Sequence, residues 1–416
     1  MSVSLLTGNA AAAWAARLAD VDYLPVYPIT PQTEIIETLG GWVAAGALPA
    51  RMVTLDSEHS MITAAGAAAA TGVRVFTATS SQGLLYAMEM LYAVAGWRVP
   101  FVLVNVSRGL ASPITLEPDH DDILAARDSG CLQLHCATCQ EVLDLVLIAF
   151  RLGEDPRVRL PVIVNMDGFY LSFTREPVAV PEWEGVRRFL PAFEPGDMAF
   201  RAQNPLSAGV AVLSGAAYSY FRYEMHLAAK RALTVFAEAA REYGDIVGRS
   251  YAPIESYRLD DAAIAFVMMG SFSTKARDAV DRLRDAGKAI GLLQLRLLRP
   301  FPEDDVRRAL RHKRGVAVVD QNLSLGKGGV LHAELASVLY GVPDAPCALV
   351  SFVAGLGGRD IAAEEFFEMA AVTERAASAG ETPPPRLLYT EEELRQLRAL
   401  QAVAVRRAAD EAEGHE

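Results

Sequence analysis

Two runs in this chain, Phe101-Val102-Leu103-Val104-Asn105-Val106 and Pro161-Val162-Ile163-Val164, are apolar except for Asn105. A strand without polar alternation is covered on both faces, and a sheet built from such strands needs helices on both of its sides. The rest of residues 1–175 supplies them. Short strands are expected at Val21–Tyr27, which Pro28 ends, at Met52–Leu55 and at Val73–Thr77. Helices are expected at Asn9–Ala19, Gln32–Ala45, Ser57–Thr71, from the Gly83 turn through Ala95, and at Glu141–Arg151. This repeated βα order predicts a mostly parallel, doubly wound sheet.

At 416 residues the chain exceeds what one core can hold, so two or three domains are expected. From Glu176 to Tyr257, Pro177, Pro181, Pro191, Pro195 and Pro205 sit among polar residues and read as an extended crossing segment. A helix over Phe221–Gly244 follows it. Residues 260–375 return to α/β, with strands at Ala263–Met269, Ala289–Gln294 and Gly315–Asp320 and helices at Ser273–Ala286 and Val330–Tyr340. Beyond Pro383-Pro384-Pro385, Thr390 and Glu393 form a capping-box start for a tail helix. Its Leu394, Leu397, Leu400 and Val405 make a stripe expected to dock on the chain itself or on a partner subunit. The division is therefore 1–175, 176–258 (an extended linker with a helix), 259–378 and 379–416.

A hydrophobic share of 51% against 22% charged residues fits buried α/β architecture. The net charge of −12 argues against nucleic-acid binding, which needs a basic face. No run approaches the ~18 apolar residues of a membrane span, and the N-terminal Met1–Thr7 lacks a leader pattern. A soluble, cytoplasmic protein is expected, with no membrane partner. Cys131, Cys136 and Cys139 copy the spacing of a ferredoxin cluster motif, with Cys347 far downstream. However, Cys131–Cys136 alternates like a half-buried strand, and Thr138–Glu141 reads as a helix cap. Buried structural thiols are expected, and no metal site.

The chemistry-bearing residues fall where strands end. Tyr27-Pro28-Ile29-Thr30-Pro31 follows the first strand, Ser57-Glu58-His59 opens a helix, and Thr79-Ser80-Ser81-Gln82-Gly83 turns after another strand. Arg108 follows the buried Phe101–Val106 strand. Open α/β sheets bind ligands at the carboxyl ends of their strands. An arginine fork there suits a substrate carboxylate. A single carboxylate facing such a cleft, with no phosphate loop or Ser-His-Asp order, suggests that a cofactor does the difficult chemistry. Each residue also has a plainer reading: Glu58 as a helix N-terminal carboxylate, Thr30 as a turn cap, Arg108 as a surface ion-pair partner. Asp119-His120-Asp121-Asp122 admits a divalent cation but reads as a polar helix start.

Taken together, Tyr27–Glu34, Ser57–His59, Thr77–Leu84, Arg127–Gly130 and Asp167-Gly168-Phe169 resemble the α subunit of 2-oxoacid:acceptor (ferredoxin) oxidoreductases. Leu298–Pro302, Asp320–Gly326 and Gly355–Asp360 resemble that family's second domain. The resemblance spans the chain through about residue 375. It implies a doubly wound domain that binds the pyrimidine half of thiamine diphosphate, and a smaller domain like the transketolase C-terminal one. The cofactor would be shared with a β subunit carrying the Gly-Asp-Gly diphosphate and Mg2+ motif, which is absent here. Glu58 matches the glutamate that contacts the aminopyrimidine, with Ser81 and Gln82 also on the cofactor side. Thr30 and Arg108 match the substrate-binding pair. Further implied partners are a γ subunit, a ferredoxin-like δ subunit with [4Fe-4S] clusters, coenzyme A and a 2-oxoacid.

One departure bears on the substrate. Pyruvate-type relatives carry a tryptophan-containing segment where this chain has Leu116-Glu117-Pro118. A reshaped pocket would favour a larger acid such as phenylglyoxylate over pyruvate, and a solvent-facing segment would leave the choice unchanged. The rival classes are a non-catalytic scaffold subunit and a stand-alone transketolase-like enzyme.

Overall fold

The computed structural model describes residues 2–196 and 199–413, with side chains described as far as 403. In chain order the elements are β1 (Ser2–Leu6), α1 (Gly8–Leu18), β2 (Tyr23–Val26), α2 (Thr33–Ala44), β3 (Arg51–Thr54), α3 (Glu58–Ala70), β4 (Phe76–Thr79), α4 (Ser81–Tyr86), α5 (Met88–Trp97) and β5 (Val102–Ser107). Then come α6 (Asp121–Ala125), β6 (Leu132–His135), α7 (Cys139–Glu154), β7 (Val162–Asp167), β8 (Glu176–Val180), α8 (Trp183–Phe189) and α9 (Gly215–Val247). The second half holds β9 (Ile254–Tyr257), β10 (Ile264–Met268), α10 (Phe272–Asp285), β11 (Ile290–Leu295), β12 (Leu297–Arg299), α11 (Glu303–Leu310) and β13 (Gly315–Asp320). It closes with α12 (Val330–Leu339), β14 (Ala348–Val353), α13 (Ala363–Ala379), β15 (Arg386–Leu387) and α14 (Glu391–Glu413).

The first sheet runs β4-β5-β7-β6 in parallel, and every residue of β5 and β7 is buried, as all-apolar strands demand. β2 and β3 pair in parallel beside it, joined to β4 by a bridge between Tyr23 and Val75. The order β3-β2-β4-β5 puts a topological switch point between β2 and β4. Helix α1 is nearly all alanine on its buried side, so its backbone can lie close against α7. Its Gly8 leaves only enough room for the backbone bond to the Leu171 carbonyl, 2.7 Å away. α7 buries eleven of its hydrophobic and small residues plus Asp144 and Glu141, which makes it the central helix of this core.

The second sheet has the order β15-β14-β13-β10-β11-β9, parallel except for the edge strand β9. Its switch point lies between β10 and β13. The expected α/β class, with largely parallel sheets, is thus present in both halves.

Several expectations need correction. The 176–258 segment is more ordered than an extended linker. β8 pairs antiparallel with β1 from Ser2–Val180 to Leu6–Glu176, and α8 follows it. The helix expected from Phe221 begins at Gly215, and β9 already belongs to the second sheet. Nor are the sheets separate in the chain, because β12 adds antiparallel to β6 of the first sheet. Beside that junction the buried Arg296 pairs with Glu141 at 2.7 Å and with Glu255. β6 is buried along its whole length, not half-buried: β12 and β7 flank it in the sheet, so it is not an edge strand. Cys131, Cys136 and Cys139 are buried as expected, whereas Cys347 is exposed. Burial pushes the Cys131 thiol up to about 12 and the Cys136 and Cys139 thiols above their ordinary value, which disfavours the thiolate that a cluster needs.

The tail helix starts with the expected box: Thr390 N–H donates to Glu393 at 2.7 Å, and Glu393 N–H to the Thr390 hydroxyl at 3.1 Å. Arg359 holds the same carboxylate with two bonds of 2.7 Å. Beyond that clamp the stripe is open, with Leu397 47% and Leu400 68% exposed. Val405 lies outside the residues whose side chains are described. No helix among the described residues is long and apolar enough to cross a membrane.

Candidate active site

The first sheet's switch point gathers the singled-out residues. Thr30 lies on the turn after β2, and Glu58 opens α3, the helix that follows β3. Ser81 and Gln82 open α4 directly after β4, and Arg108 follows β5. Glu58 is 5% exposed. It stands in the first turn of α3, whose N-cap Ser57 accepts the Ser60 N–H at 3.2 Å. Burial raises the Glu58 carboxyl above its ordinary value against an opposing backbone hydrogen bond. Gly83 presses on it: a Cβ there would collide with Glu58 Oε1 and come within 2.6 Å of Thr79 Oγ1.

Arg108 is buried, and burial lowers its pKa against the opposing pull of Asp122. Its Nη1 donates to the Thr30 carbonyl at 2.8 Å and its Nη2 to Gln82 Oε1 at 2.6 Å. The same Gln82 oxygen accepts the Ser81 hydroxyl at 2.7 Å. Arg108, Gln82, Ser81 and Thr30 therefore form one hydrogen-bonded set. The Thr30 residue itself is exposed. Among the described residues, Thr79 Oγ1, Ser80 Oγ, Gln82 Nε2 and Arg108 Nε are buried without a partner. Buried polar groups are ordinarily satisfied, so this cluster around Gly83 is a place where a ligand's polar atoms are wanted.

The Asp119–Asp122 segment is more than a polar helix start. Asp122 is fully buried. Its Oδ2 accepts Ser81 N–H at 2.9 Å, Asn105 Nδ2 at 3.1 Å and Arg108 N–H at 3.3 Å. Its Oδ1 accepts the Ser107 hydroxyl at 2.5 Å and Ile123 N–H at 2.6 Å. His120 Nε2 meets Asp167 Oδ1 at 2.8 Å, and Asp167 Oδ2 accepts Ser271 N–H at 2.8 Å and its hydroxyl at 2.5 Å. Burial works against the charged forms here, yet each partner's charge wins: His120 titrates above and Asp167 below its ordinary value. Asp121 Oδ1 accepts Asn322 Nδ2 at 3.3 Å and Leu323 N–H at 3.2 Å. The signal for this hub was in the sequence, as four polar residues together. That Asp119, His120 and Asp122 are buried and Asp121 half-buried, and on which partners, depends on contacts from distant β7, β10 and β13.

The Leu116–Pro118 departure divides in space. Leu116 is 47% and Ile114 73% exposed, whereas Pro118 is buried and its carbonyl accepts Gly358 N–H at 2.7 Å.

Comparison with known proteins agrees with this architecture. Residues 14–241 match the family model described as pyruvate flavodoxin/ferredoxin oxidoreductase, thiamine diphosphate-binding. Residues 262–366 match pyruvate:ferredoxin oxidoreductase core domain II. The chain is 42% identical to pyruvate synthase subunit PorA of Methanothermobacter thermautotrophicus, covering 90% of this chain and 96% of that one. It is 37% identical to ketoisovalerate oxidoreductase subunit VorA of Pyrococcus horikoshii, over 90% and 95%. A solved 2-oxoglutarate:ferredoxin oxidoreductase of Magnetococcus marinus shares the fold at TM-score 0.68 and 19% identity, over 89% of this chain and 65% of that one. With two family models spanning both domains and relatives matched over nearly their full length, the chain belongs to the α subunits of the thiamine diphosphate-dependent 2-oxoacid:ferredoxin oxidoreductases.

Proposed function

We propose that this α subunit, within a multisubunit complex, converts a 2-oxoacid and coenzyme A to acyl-CoA and carbon dioxide. The two electrons released pass to [4Fe-4S] clusters on partner subunits. The observation that carries this reading is the convergence of Glu58, Gly83, Gln82, Arg108 and Thr30 at one switch point, with unpartnered buried polar atoms between them.

The residues fit the pyrimidine half of thiamine diphosphate. Glu58 is a carboxyl held partly towards its protonated form, so it can share a proton with a ring nitrogen. Gly83 keeps the space beside it clear, and Ser81 and Gln82 line the same turn. When bound, the cofactor supplies a carbon nucleophile and an electron sink. Arg108 offers a buried cationic fork to the substrate carboxylate, and Thr30, exposed on the turn after β2, is bound to that fork through its carbonyl and is the residue whose hydroxyl would meet the substrate. Burial strengthens that attraction by lowering the local dielectric. The diphosphate and Mg2+ fall to a β subunit, and a γ and a ferredoxin-like δ subunit complete the electron path.

Pyruvate is the 2-oxoacid in the name of the PorA relatives, pyruvate synthase subunits. Ile114 and Leu116, six and eight residues beyond Arg108, are apolar and exposed; taken as an apolar lip to the site, they favour a second reading in which the acid is larger, phenylglyoxylate included. The test is coenzyme A-dependent dye reduction by the complex purified through this subunit, with pyruvate, 2-oxoisovalerate and phenylglyoxylate compared. Preference for the aromatic acid establishes the lip reading, and preference for pyruvate removes it. No turnover with any 2-oxoacid overturns the catalytic assignment and leaves a scaffold role.

A further inference from the structure

The second sheet's own switch point, between the carboxyl ends of β10 and β13, is where an open α/β sheet would take a ligand. Here the first domain fills it. His120 N–H donates to the Gln321 carbonyl at 2.8 Å just past β13, and Asp167 takes both donors of Ser271 just past β10. Gly270 has φ +76°, and a Cβ on it would lie 2.8 Å from Asp167 Oδ2 and 2.9 Å from the His120 ring. A ligand crevice has become a socket.

The segment seated in that socket ends at Asp122, whose carboxylate reaches the opposite way. Three of its five donors are backbone N–H groups, of Ser81, Arg108 and Ile123, and these cannot be reversed. The first two belong to different strand ends, the β4 turn and the end of β5. One carboxylate therefore fixes the spacing between the residue bearing the guanidinium and the turn bearing Gln82, which holds that guanidinium.

We propose that Asp122 is a positioning residue for substrate binding: braced by the second domain through His120 and Asp121, it sets Arg108 against Gln82 so that the guanidinium meets a 2-oxoacid carboxylate. This rests on the reading of Arg108 as the carboxylate-binding group. Asp122 itself touches neither substrate nor cofactor. An asparagine is a poor replacement: four of the five groups facing it are N–H donors, Ser81, Arg108 and Asn105 on one oxygen and Ile123 on the other, so its NH2 would point at a backbone N–H in either orientation.

The experiment is steady-state dye reduction by the assembled complex carrying Asp122→Asn, with KM measured separately for the 2-oxoacid and for coenzyme A. The expected result is a rise of about tenfold in the 2-oxoacid KM, with the coenzyme A KM within about twofold of wild type. Ser107→Ala removes the hydroxyl that lies 2.5 Å from both Asp122 Oδ1 and the Asp119 carbonyl, leaves the four N–H donors to Asp122 in place, and keeps the variant series informative if Asp122→Asn does not assemble. It should raise the same KM by about threefold. An unchanged 2-oxoacid KM in the variants that assemble, with only less active complex recovered, overturns the positioning role. A wild-type complex inert towards every 2-oxoacid removes instead the functional reading beneath it, so the two failures are distinct.

Discussion

Arg108 Nη2 and the Ser81 hydroxyl both donate to Gln82 Oε1, at 2.6 and 2.7 Å, so one amide oxygen ties the arginine to the turn after β4. Arg108 Nη1 is meanwhile bound to the Thr30 carbonyl at 2.8 Å. A guanidinium can make these two bonds and still present a third N–H to a carboxylate. A lysine ammonium, on a flexible stem, cannot hold that geometry. Arg108→Lys should lower kcat/KM for the 2-oxoacid by about two orders of magnitude, mainly through KM. Steady-state dye reduction by the assembled complex measures it, and a loss confined to kcat would exclude Arg108 from ground-state carboxylate binding.

Glu58 and Gly83 act on the same space. Glu58→Gln keeps the volume and removes the exchangeable proton, so kcat should fall by about a hundredfold or more while cofactor affinity changes little. Gly83→Ala puts a methyl group into the Glu58 carboxyl and against Thr79 Oγ1. It should weaken cofactor binding itself, seen as a higher thiamine diphosphate concentration for half-activation. If both variants affect only affinity, Glu58 shapes the site without taking part in proton transfer.

What was legible in the sequence depended on locality. The βα order, Gly315–Asp320 as a strand and the Thr390–Glu393 cap are written in contiguous residues, and most of the elements that were expected lie within a few residues of their place, whereas α8, α11, α13 and β14 were not expected. Glu58, Thr30, Ser81, Gln82 and Arg108 stood out because each lies where an expected strand ends or helix begins. The antiparallel pair β1–β8 and the crossing of β12 onto the first sheet were not legible, since each partner lies more than a hundred residues away. Asp122 looked like an ordinary helix-start carboxylate because its donors, though 41 residues away or nearer, meet it only once the strands of the first sheet have come together. Its five donors come from three separate stretches of chain.

The hub also carries a pH dependence. Burial first, then the neighbouring Asp121, raises the Asp119 carboxyl from 3.8 to about 7, with Asp122 adding to it. A carboxyl whose folded pKa lies above its unfolded one contributes stability that is complete below about pH 4 and is lost as pH rises towards 7. His120 works in the same direction above its ordinary range, whereas the lowered Asp167 contributes stability that is lost only in acid. Asp119→Asn should therefore gain on wild type as pH rises from 4 to 7, at no more than about 1.4 kcal/mol per pH unit. Urea unfolding at pH 5 and pH 8 measures it, and a difference that does not vary with pH would place the Asp119 titration outside this window.

Asp144 of α7 allows a prediction confined to stability, because its partners are remote from the candidate site. It is fully buried and accepts the Tyr243 and Tyr251 hydroxyls at 2.5 Å each, together with Arg249 Nε at 2.6 Å and Nη2 at 2.8 Å. These donors come from α9 and the chain just after it, so the carboxylate fastens the long helix to the first core. Asp144→Ala would take the carboxylate away from the Arg249 guanidinium and from the two phenols. Removing one partner of a buried ion pair costs about 3–5 kcal/mol. Asp144→Asn, which retains one acceptor oxygen, should cost less. Both variants should unfold at lower urea concentration with the 2-oxoacid KM unchanged in the folded complex. A shifted KM would mean that the α9 attachment is coupled to the switch point between β2 and β4.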